Sequence, residues 1–391
     1  MRSRRRKLAD AGKDCARWIV RRRAELVDDE AVRSEADEIG ERAARIYSEP
    51  KHRGIVCLDD VDLRPVGAPR DVSVVIPTWN GRGLLERFLP SVVNAARAYR
   101  DSTGAAIELI VVDDGSRDDS AGWLNDRVRE SDVPIRVVRH EQNLGFGAAC
   151  NRGVAAARSP LVLLLNNDVA LDVDSIGRLA ARFVTAAAAT PLFAVHCHVL
   201  DFETNAEAGA GQAGAFSRGF IRVHERFTAG GDVTATFPSM FASGGSSMVD
   251  RERFLELGGF DPLFAPFYFE DVELSYRAWK RGLTVAYAPD AMARHRFSST
   301  IGARPRSEIR RISQRNRLFL NWIHIHDPSW ALQHLVWVSL LFLTTPLTLR
   351  LDFPRAVIAA LRRLPDVLQR RRKERMLARR TDREVMEIFA R

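Results

Sequence analysis

From Val72 onward the chain alternates short, β-rich apolar runs with longer helix-compatible stretches. The runs are VSVVIP at 72–77, IELIVVDD at 107–114, IRVVRH at 135–140 and LVLLLNND at 161–168. Helix-compatible segments lie between them, around 83–99, 118–130 and 145–158. Apolar runs of this length, alternating with helices, predict an α/β fold whose parallel strands are covered on both faces. In an open sheet of that kind ligands bind beyond the carboxyl ends of the strands. Three polar clusters stand at those ends: Thr78-Trp79-Asn80, Asp113-Asp114-Gly115-Ser116 and Asn166-Asn167-Asp168. Each alone reads as a turn, since Asn, Asp and Gly favour turns. The set of three predicts one polar rim.

The flanking regions differ from this core. Residues 1–70 are charge-rich, with CARWIVRRRAELV helical in character and LRPVGAPRD less regular, and predict a helical extension with a linker. Residues 200–240 are rich in glycine and alanine and predict a mobile loop or insertion. Within them Gly209-Ala210-Gly211-Gln212-Ala213-Gly214 matches a dinucleotide fingerprint in letters only, because no strand leads directly into it and no helix follows. His196-Cys197-His198 reads as a partly buried strand rather than a metal site, there being no further ligands nearby in sequence. Near the C-terminus, WALQHLVWVSLLFLTTPLTL at 330–349 is about long enough to cross a bilayer, though Gln333, His334 and Pro346 interrupt it. Arginines on both sides suit an interfacial or re-entrant segment on an anionic leaflet better than a single span. A buried core or dimerisation helix is the competing account.

Charge sharpens that picture. The 391 residues carry a net charge of +9, with an apolar fraction of 46% that excludes general disorder. Basic runs open the chain (Arg2, Arg4, Arg5, Arg6, Lys7) and recur at Arg370, Arg371, Arg372 and Lys373. An excess of this size predicts an anionic partner, either a phosphate-bearing substrate or an acidic lipid surface. Nucleic acid fits poorly, since neither run interleaves aromatics or sits in a recognisable binding module. Cys15, Cys57, Cys150 and Cys197 form no paired spacing, which predicts reduced thiols in a cytosolic setting. No apolar stretch follows the basic opening, so it does not read as a secretory signal.

Six motifs then occur in a familiar order: SVVIPTWNG (73–81), VVDDGSRDDS (111–120), NLGFGAACNRG (143–153), LLLNNDV (163–169), GGFDPLFAPFYFEDVELSYRAWKRG (258–282) and ARHRFSST (293–300). Together they resemble the family 2 inverting glycosyltransferases, with HRFSST most similar to the rhamnosyltransferase-like branch. The resemblance implies a GT-A type doubly wound mixed sheet with flanking helices over 71–300. The N-terminal extension of 1–70 precedes it, and a basic, apolar, membrane-associated helical region of 301–391 follows.

The resemblance also implies chemistry. Asp168 fills the last position of the family's metal-binding DxD, with Asn166 in place of the first Asp, and His295 is similar to a histidine that completes the metal shell in some members. The metal would be Mn2+ or Mg2+, which take oxygen ligands from one or two carboxylates and substrate phosphates. Helix capping is the alternative for Asp168, and a structural role for His295. Asp113 matches the residue that hydrogen-bonds the nucleotide base, beside Pro77 and Thr78 and near Asn80 and Asn167. Asp114 reads equally as a pocket residue or a turn former. Asn143 with Gly145 and Gly147 would let backbone approach the donor, or would simply form a loop entering a helix. Asp271 takes the position of the catalytic base that inversion requires. Its alternative is an acidic first turn favoured by the helix dipole. Glu270 and Glu273 would assist it or lie in solvent. Arg294 and Arg296 are candidates for the diphosphate, and Asp261 for a turn.

QRNRL at 314–318 nearly matches the QxxRW of processive synthases but lacks the Trp, which argues for a nonprocessive enzyme. The reading is therefore transfer from a nucleotide-sugar donor, dTDP-rhamnose among the candidates, to a glycan or lipid-linked acceptor on the cytoplasmic side of the membrane. The protein would sit there as a peripheral or monotopic protein, and an oligomer is compatible with the sequence. A sugar nucleotidyltransferase and a noncatalytic nucleotide-sugar-binding scaffold are the alternatives.

Overall fold

The computed structural model describes residues 70–185, 191–227, 236–296, 305–345 and 351–390. The chain divides into two compact units, Met1–Val61 with Arg391, and Asp62–Ala390. The described residues belong to the second, so the expected 1–70 extension, with Cys15 and Cys57, lies outside them.

The central sheet has ten strands. β1 (Val72–Thr78), β2 (Ile107–Asp113), β3 (Ile135–Arg139) and β4 (Leu161–Leu165) run parallel, in the order β4-β1-β2-β3. They alternate with α1 (Arg82–Thr103), α2 (Ser120–Glu130) and α3 (Phe146–Ala156), within a few residues of the expected segments. Beyond β4 the chain forms β5 (Val169–Leu171), α4 (Ser175–Thr185) and the long β6 (Leu192–Asp201). The sheet is mixed because β11 (Ser246–Asp250) lies antiparallel between β4 and β6. β12 (Thr284–His295) returns parallel to β6, and its last residues pair with β5, setting His295 against Val169.

Alternate strand residues divide between two cores. Val72, Val74 and Ile76 pack with Leu161, Leu163 and Leu165 under α1 and α4. Val75, Val162 and Leu164 face α3, α5 (Arg251–Leu257), α6 (Glu270–Lys280) and the C-terminal helices. This period of two, with both faces buried, is why the strands read as continuous apolar runs.

Of the region expected to be a mobile loop or insertion, the described residues are built largely of strands. After the short β7 (Glu207–Gly209), β8 (Gly211–Ser217) and β9 (Phe220–Phe227) form an antiparallel hairpin, and β10 (Phe237–Pro238) pairs with β12. Its small residues serve close packing: a Cβ at Gly214 would lie 2.5 Å from the sulfur of Met240. His196 and His198 sit buried on β6, hydrogen-bonded to Ser239 and to the hydroxyl of Tyr287, in line with the partly buried strand expected there.

Five helices close the domain: α7 (Arg306–His324), α8 (Pro328–Thr344), α9 (Asp352–Leu361), α10 (Leu364–Leu377) and α11 (Asp382–Ala390). Among the described residues, no helix is long and apolar enough to cross a membrane. Part of the basic run at 370–373 is structural: Arg370 pairs with Asp261, and Arg371 donates to the Trp322 carbonyl. Asp261 also accepts from the Leu263 amide, so it fixes a turn as expected.

Two buried charge networks hold α6 in place. Glu273 pairs with Arg277 and His324, and the Arg277 guanidinium and His324 hold its carboxyl down at about 2 against the cost of burial. Lys280 pairs with Asp382 at 2.7 Å. Glu273 is thus no solvated surface acid. Removing one partner of such a pair leaves an uncompensated buried charge, at a cost of about 3–5 kcal/mol.

Candidate active site

The carboxyl ends of β1, β2 and β4 meet on one rim, and backbone geometry there is tightly specified. The Thr78 carbonyl accepts from the Asp114 amide, and the Thr78 hydroxyl accepts from Asn167 Nδ2 at 2.8 Å. Pro77, in register with Val112, completes the end of β1. Asn80 adopts φ 48°; its amide donates to Ser116 Oγ, and its side-chain oxygen accepts from the Arg117 amide. A Cβ at Gly81 would lie 2.4 Å from both the Thr78 hydroxyl and Asn167 Nδ2. Asn80 and Asn167 therefore brace the rim.

Asp113 is fully buried at the end of β2. Its Oδ1 accepts from the Ser116 amide. Its Oδ2 accepts no hydrogen bond, and Arg139 Nε stands 3.3 Å away without hydrogen-bond alignment. Asp114 differs: it engages His140 Nδ1 at 2.7 Å and the amides of Leu144 and Gly145 at 3.0 and 2.8 Å. Both its oxygens are spent shaping the loop that enters α3. Gly145 opens that helix at φ 92°, a conformation that suits glycine, while Asn143 is exposed beside it.

Asp168 follows β4 and is also buried. Its Oδ1 accepts no hydrogen bond, and His295 Nε2 lies 3.0 Å away, within ion-pair range but off hydrogen-bond alignment. Residues 127 apart in sequence meet because β5 pairs with the end of β12 and the Arg296 amide bonds the Asp168 carbonyl. A buried carboxylate oxygen without a donor, beside an imidazole, fits a divalent cation whose remaining ligands are phosphate oxygens and water. Among the described residues no group of three His, Cys, Asp or Glu could hold a metal, so these two would hold it with substrate oxygens. Arg294 is engaged with Asp172, and Arg296 lies 3.6 Å from Glu203. Of the HRFSST stretch, residues 297–300 lie outside the described residues.

Asp271 sits in the first turn of α6, half-buried, facing a cavity of about 270 Å³ lined by Phe241, Tyr268, Phe269, Val272 and Ser313. Its oxygens accept from the amides of Gly244 and Val272. Burial pushes its carboxyl up, although those amides oppose the shift. Next to it Glu270 is pushed up to about 8 by burial and by the charge of Asp271, and its Oε2 accepts no hydrogen bond. With amide donors on Asp271 and none on that Glu270 oxygen, the shared negative charge belongs on Asp271. Glu270 is thus a buried neighbour of the candidate base rather than a solvated acid.

Three positioning features escaped the sequence reading. Ser243-Gly244-Gly245 stitches the halves of the site together: Gly244 bonds Asp271, the Gly245 carbonyl accepts from the Asn166 amide, and a Cβ at Gly245 would lie 2.5 Å from Asn166 Nδ2. Tyr268 and Phe269, immediately before Glu270, adopt φ 71° and 73°. Such strain in bulky residues persists only where surroundings enforce it. Asn316 on α7 enforces it: its Nδ2 donates to the carbonyls of Phe264, Phe267 and Tyr268 at 2.6, 3.0 and 2.8 Å. A near-miss motif was the visible signal; the asparagine inside it was not singled out.

A mixed sheet of this order, with a polar rim and an acidic helix start facing it, is the architecture of a GT-A glycosyltransferase. Residues 73–258, just under half of the chain, match the model "Glycosyl transferase family 2", and the domain they form is similar to that family. Among curated relatives, it is 36% identical over 111 residues to undecaprenyl-phosphate 4-deoxy-4-formamido-L-arabinose transferase of Pseudomonas paraeruginosa, covering 28% of this chain and 32% of that protein. The Salmonella dublin protein of the same name is 32% identical over 121 residues, covering 31% and 35%. The matched region thus spans about a third of those relatives. A crystal structure of GalNAc-T7 with UDP, GalNAc and Mn2+ superposes with a TM-score of 0.53 at 21% identity, covering 66% of this chain and 48% of that one, a likeness of fold.

Proposed function

We propose that this protein is an inverting glycosyltransferase that moves a sugar from a nucleoside-diphosphate sugar, dTDP-rhamnose among the candidates, to a lipid-linked or polysaccharide acceptor. The observation that carries the reading is the pair of buried, donor-free carboxylate oxygens, Asp113 Oδ2 and Asp168 Oδ1. β2, which ends in Asp113, and β4, which Asp168 follows, flank β1 and so lie two interstrand spacings, roughly 10 Å, apart, a span that suits a base joined through ribose to a diphosphate. Asp113 would accept the base ring N–H. The cation that Asp168 and His295 would hold, Mn2+ or Mg2+, supplies charge neutralisation for the departing diphosphate. Asp271 would take the acceptor hydroxyl proton as that oxygen bonds the anomeric carbon. The anomeric C–O bond to diphosphate breaks on the opposite face, and the nucleoside diphosphate leaves. A carboxyl raised by burial is the stronger base for this work. Pro77, Thr78, Asn80, Asp114, Asn143, Gly145 and Asn167 would shape the donor pocket, most of them through backbone.

The same reading seats the protein on the cytoplasmic face of an anionic membrane. On α8 the exposed residues Leu332, Leu335, Val336, Leu340, Phe342 and Leu343 face outward, Leu343 being 70% exposed. On α9 and at its two ends, Leu351, Ile358 and Leu361 are exposed beside Arg355 and Arg362. No Asp or Glu is exposed on either helix. Such a surface suits in-plane insertion with arginines at lipid phosphates.

The test is binding of dTDP-rhamnose, UDP-hexoses and GDP-mannose with and without Mn2+, to wild type and Asp168→Ala, followed by product analysis. Metal-dependent binding of one donor, lost in Asp168→Ala, with release of nucleoside diphosphate, is expected. Release of pyrophosphate would mark a nucleotidyltransferase, and binding without turnover a scaffold.

A further inference from the structure

We propose that Arg317, together with Arg222, forms a site for the phosphate of a prenyl-phosphate-linked acceptor, placed between the Asp271 cavity and α8. The proposal rests on the transferase reading above and specifies the acceptor.

Arg317 is a partly buried cation whose guanidinium lies 4.0 Å from the centre of the Phe220 ring. Among the described residues no carboxylate or carbonyl pairs with it, whereas most other inward arginines here are paired, as Arg182, Arg277, Arg281 and Arg370 are. Taking an unpaired charge out of water is costly, and the aromatic face offsets only part of it. The nearby charge is of the same sign. Phe220 and Arg222 occupy alternate positions of β9, so their side chains share the face over which Arg317 lies. Burial first, and Arg222 second, push the Arg317 guanidinium down to about 10. It remains protonated at neutral pH, and an anion arriving between the two arginines would relieve both penalties.

Location supplies the acceptor. Ser313 lines the Asp271 cavity, and Arg317 follows four residues later on the same face of α7, about 6 Å further along the helix. The other side of Arg317 leads to α8. The Phe220 ring meets His334 edge-on at 4.9 Å, and His334 Nδ1 bonds the Gly219 carbonyl at 2.6 Å. A hydroxyl presented to Asp271 thus has a cation pair about one helical turn away, and beyond that the buried His334 side of α8, whose opposite face carries exposed apolar residues for a hydrocarbon tail. A glycan without a lipid phosphate would have no use for that order of features.

The experiment uses the full chain and measures binding of a soluble fifteen-carbon prenyl phosphate, inorganic phosphate, and the nucleotide sugar with Mn2+. Wild type is compared with Arg317→Gln, Arg317→Lys and the exposed-site variant Arg222→Gln. Expected are a loss of about tenfold in prenyl phosphate affinity for Arg317→Gln, a smaller loss for Arg222→Gln, and partial recovery for Arg317→Lys. Donor affinity stays within about twofold of wild type. Inorganic phosphate should bind far more weakly than the prenyl phosphate; equal binding would assign the site to free phosphate and overturn the lipid assignment. Loss of donor affinity in Arg317→Gln would assign it to the donor diphosphate and likewise overturn it. Unchanged prenyl phosphate affinity in both glutamine variants, each melting as wild type does, would also refute it. Should Arg317→Gln misfold, Arg222→Gln decides alone. Absence of nucleotide-sugar binding by wild type, with Arg317-dependent prenyl phosphate binding retained, would fail the transferase reading and leave the anion site standing.

Discussion

Replacing Asn316 by alanine isolates the contribution of a residue that touches no substrate in the proposed mechanism. Its amide nitrogen serves three backbone carbonyls, and its oxygen accepts from Arg315 Nε and Nη2. The two N–H groups share those carbonyls, and Asn316 is itself fully buried. A buried acceptor left without its donor costs about 1–3 kcal/mol, so losing both N–H groups destabilises by about 3 kcal/mol once some strain at Tyr268 and Phe269 is released. For a domain of this size that lowers the melting temperature by roughly 4–5 °C. The segment it releases leads directly into Glu270 and Asp271, and a displacement of about 1 Å at a reacting group costs on the order of 100-fold in turnover. Donor affinity should hold, because Asp113 and Asp168 lie outside the segment that Asn316 holds. Differential scanning fluorimetry and steady-state transfer assays measure the two effects. A variant melting at the wild-type temperature and turning over within about twofold of it would refute the clamp.

Two further outcomes follow from the charges and the surface. Glu270, pushed up to about 8, stays protonated while Asp271 ionises, so Glu270→Gln is expected to leave the rising limb of the pH–rate profile in place; a limb moved to lower pH would show Glu270 carrying the shared charge. Its stability signature has a definite sign as well. A carboxyl raised to about 8 from its ordinary value of 4.5 stabilises the fold at low pH, and that contribution is lost as pH rises towards 8. Melting temperatures from pH 5 to 9 should therefore decline less in the variant. Substituting Leu335 and Leu343 by serine, both more than 60% exposed, should release the protein from anionic vesicles in a flotation assay at little cost to melting temperature. Undiminished flotation would refute α8 as the docking element.

The donor half of the site was legible because its residues stand at the ends of apolar strands, where chain direction alone places them on one rim. Asp113, Asp168 and Thr78 fall there from local sequence, whereas Asp271 was reached through resemblance, the acidic start of a helix being its competing account. The meeting of His295 with Asp168 was reached only through resemblance, since the pairing of β5 with β12 is a tertiary event. The hairpin at 211–227 was misread because small residues signal flexibility in sequence, whereas here they permit close packing on Met240. Asn316 escaped because one asparagine in a basic helix carries no periodic signature; its three acceptors lie about fifty residues upstream.

The strap formed by Gly244 and Gly245 has an evolutionary consequence. Everything proposed to hold the nucleotide, apart from His295, precedes Leu171, and everything lining the Asp271 cavity lies at Phe241 or beyond. The two glycines, one bonded to each half, are the seam. The proposed acceptor contacts, from Arg222 to Arg317, can thus diversify while the proposed donor contacts, His295 aside, are inherited unchanged, provided both positions stay without side chains.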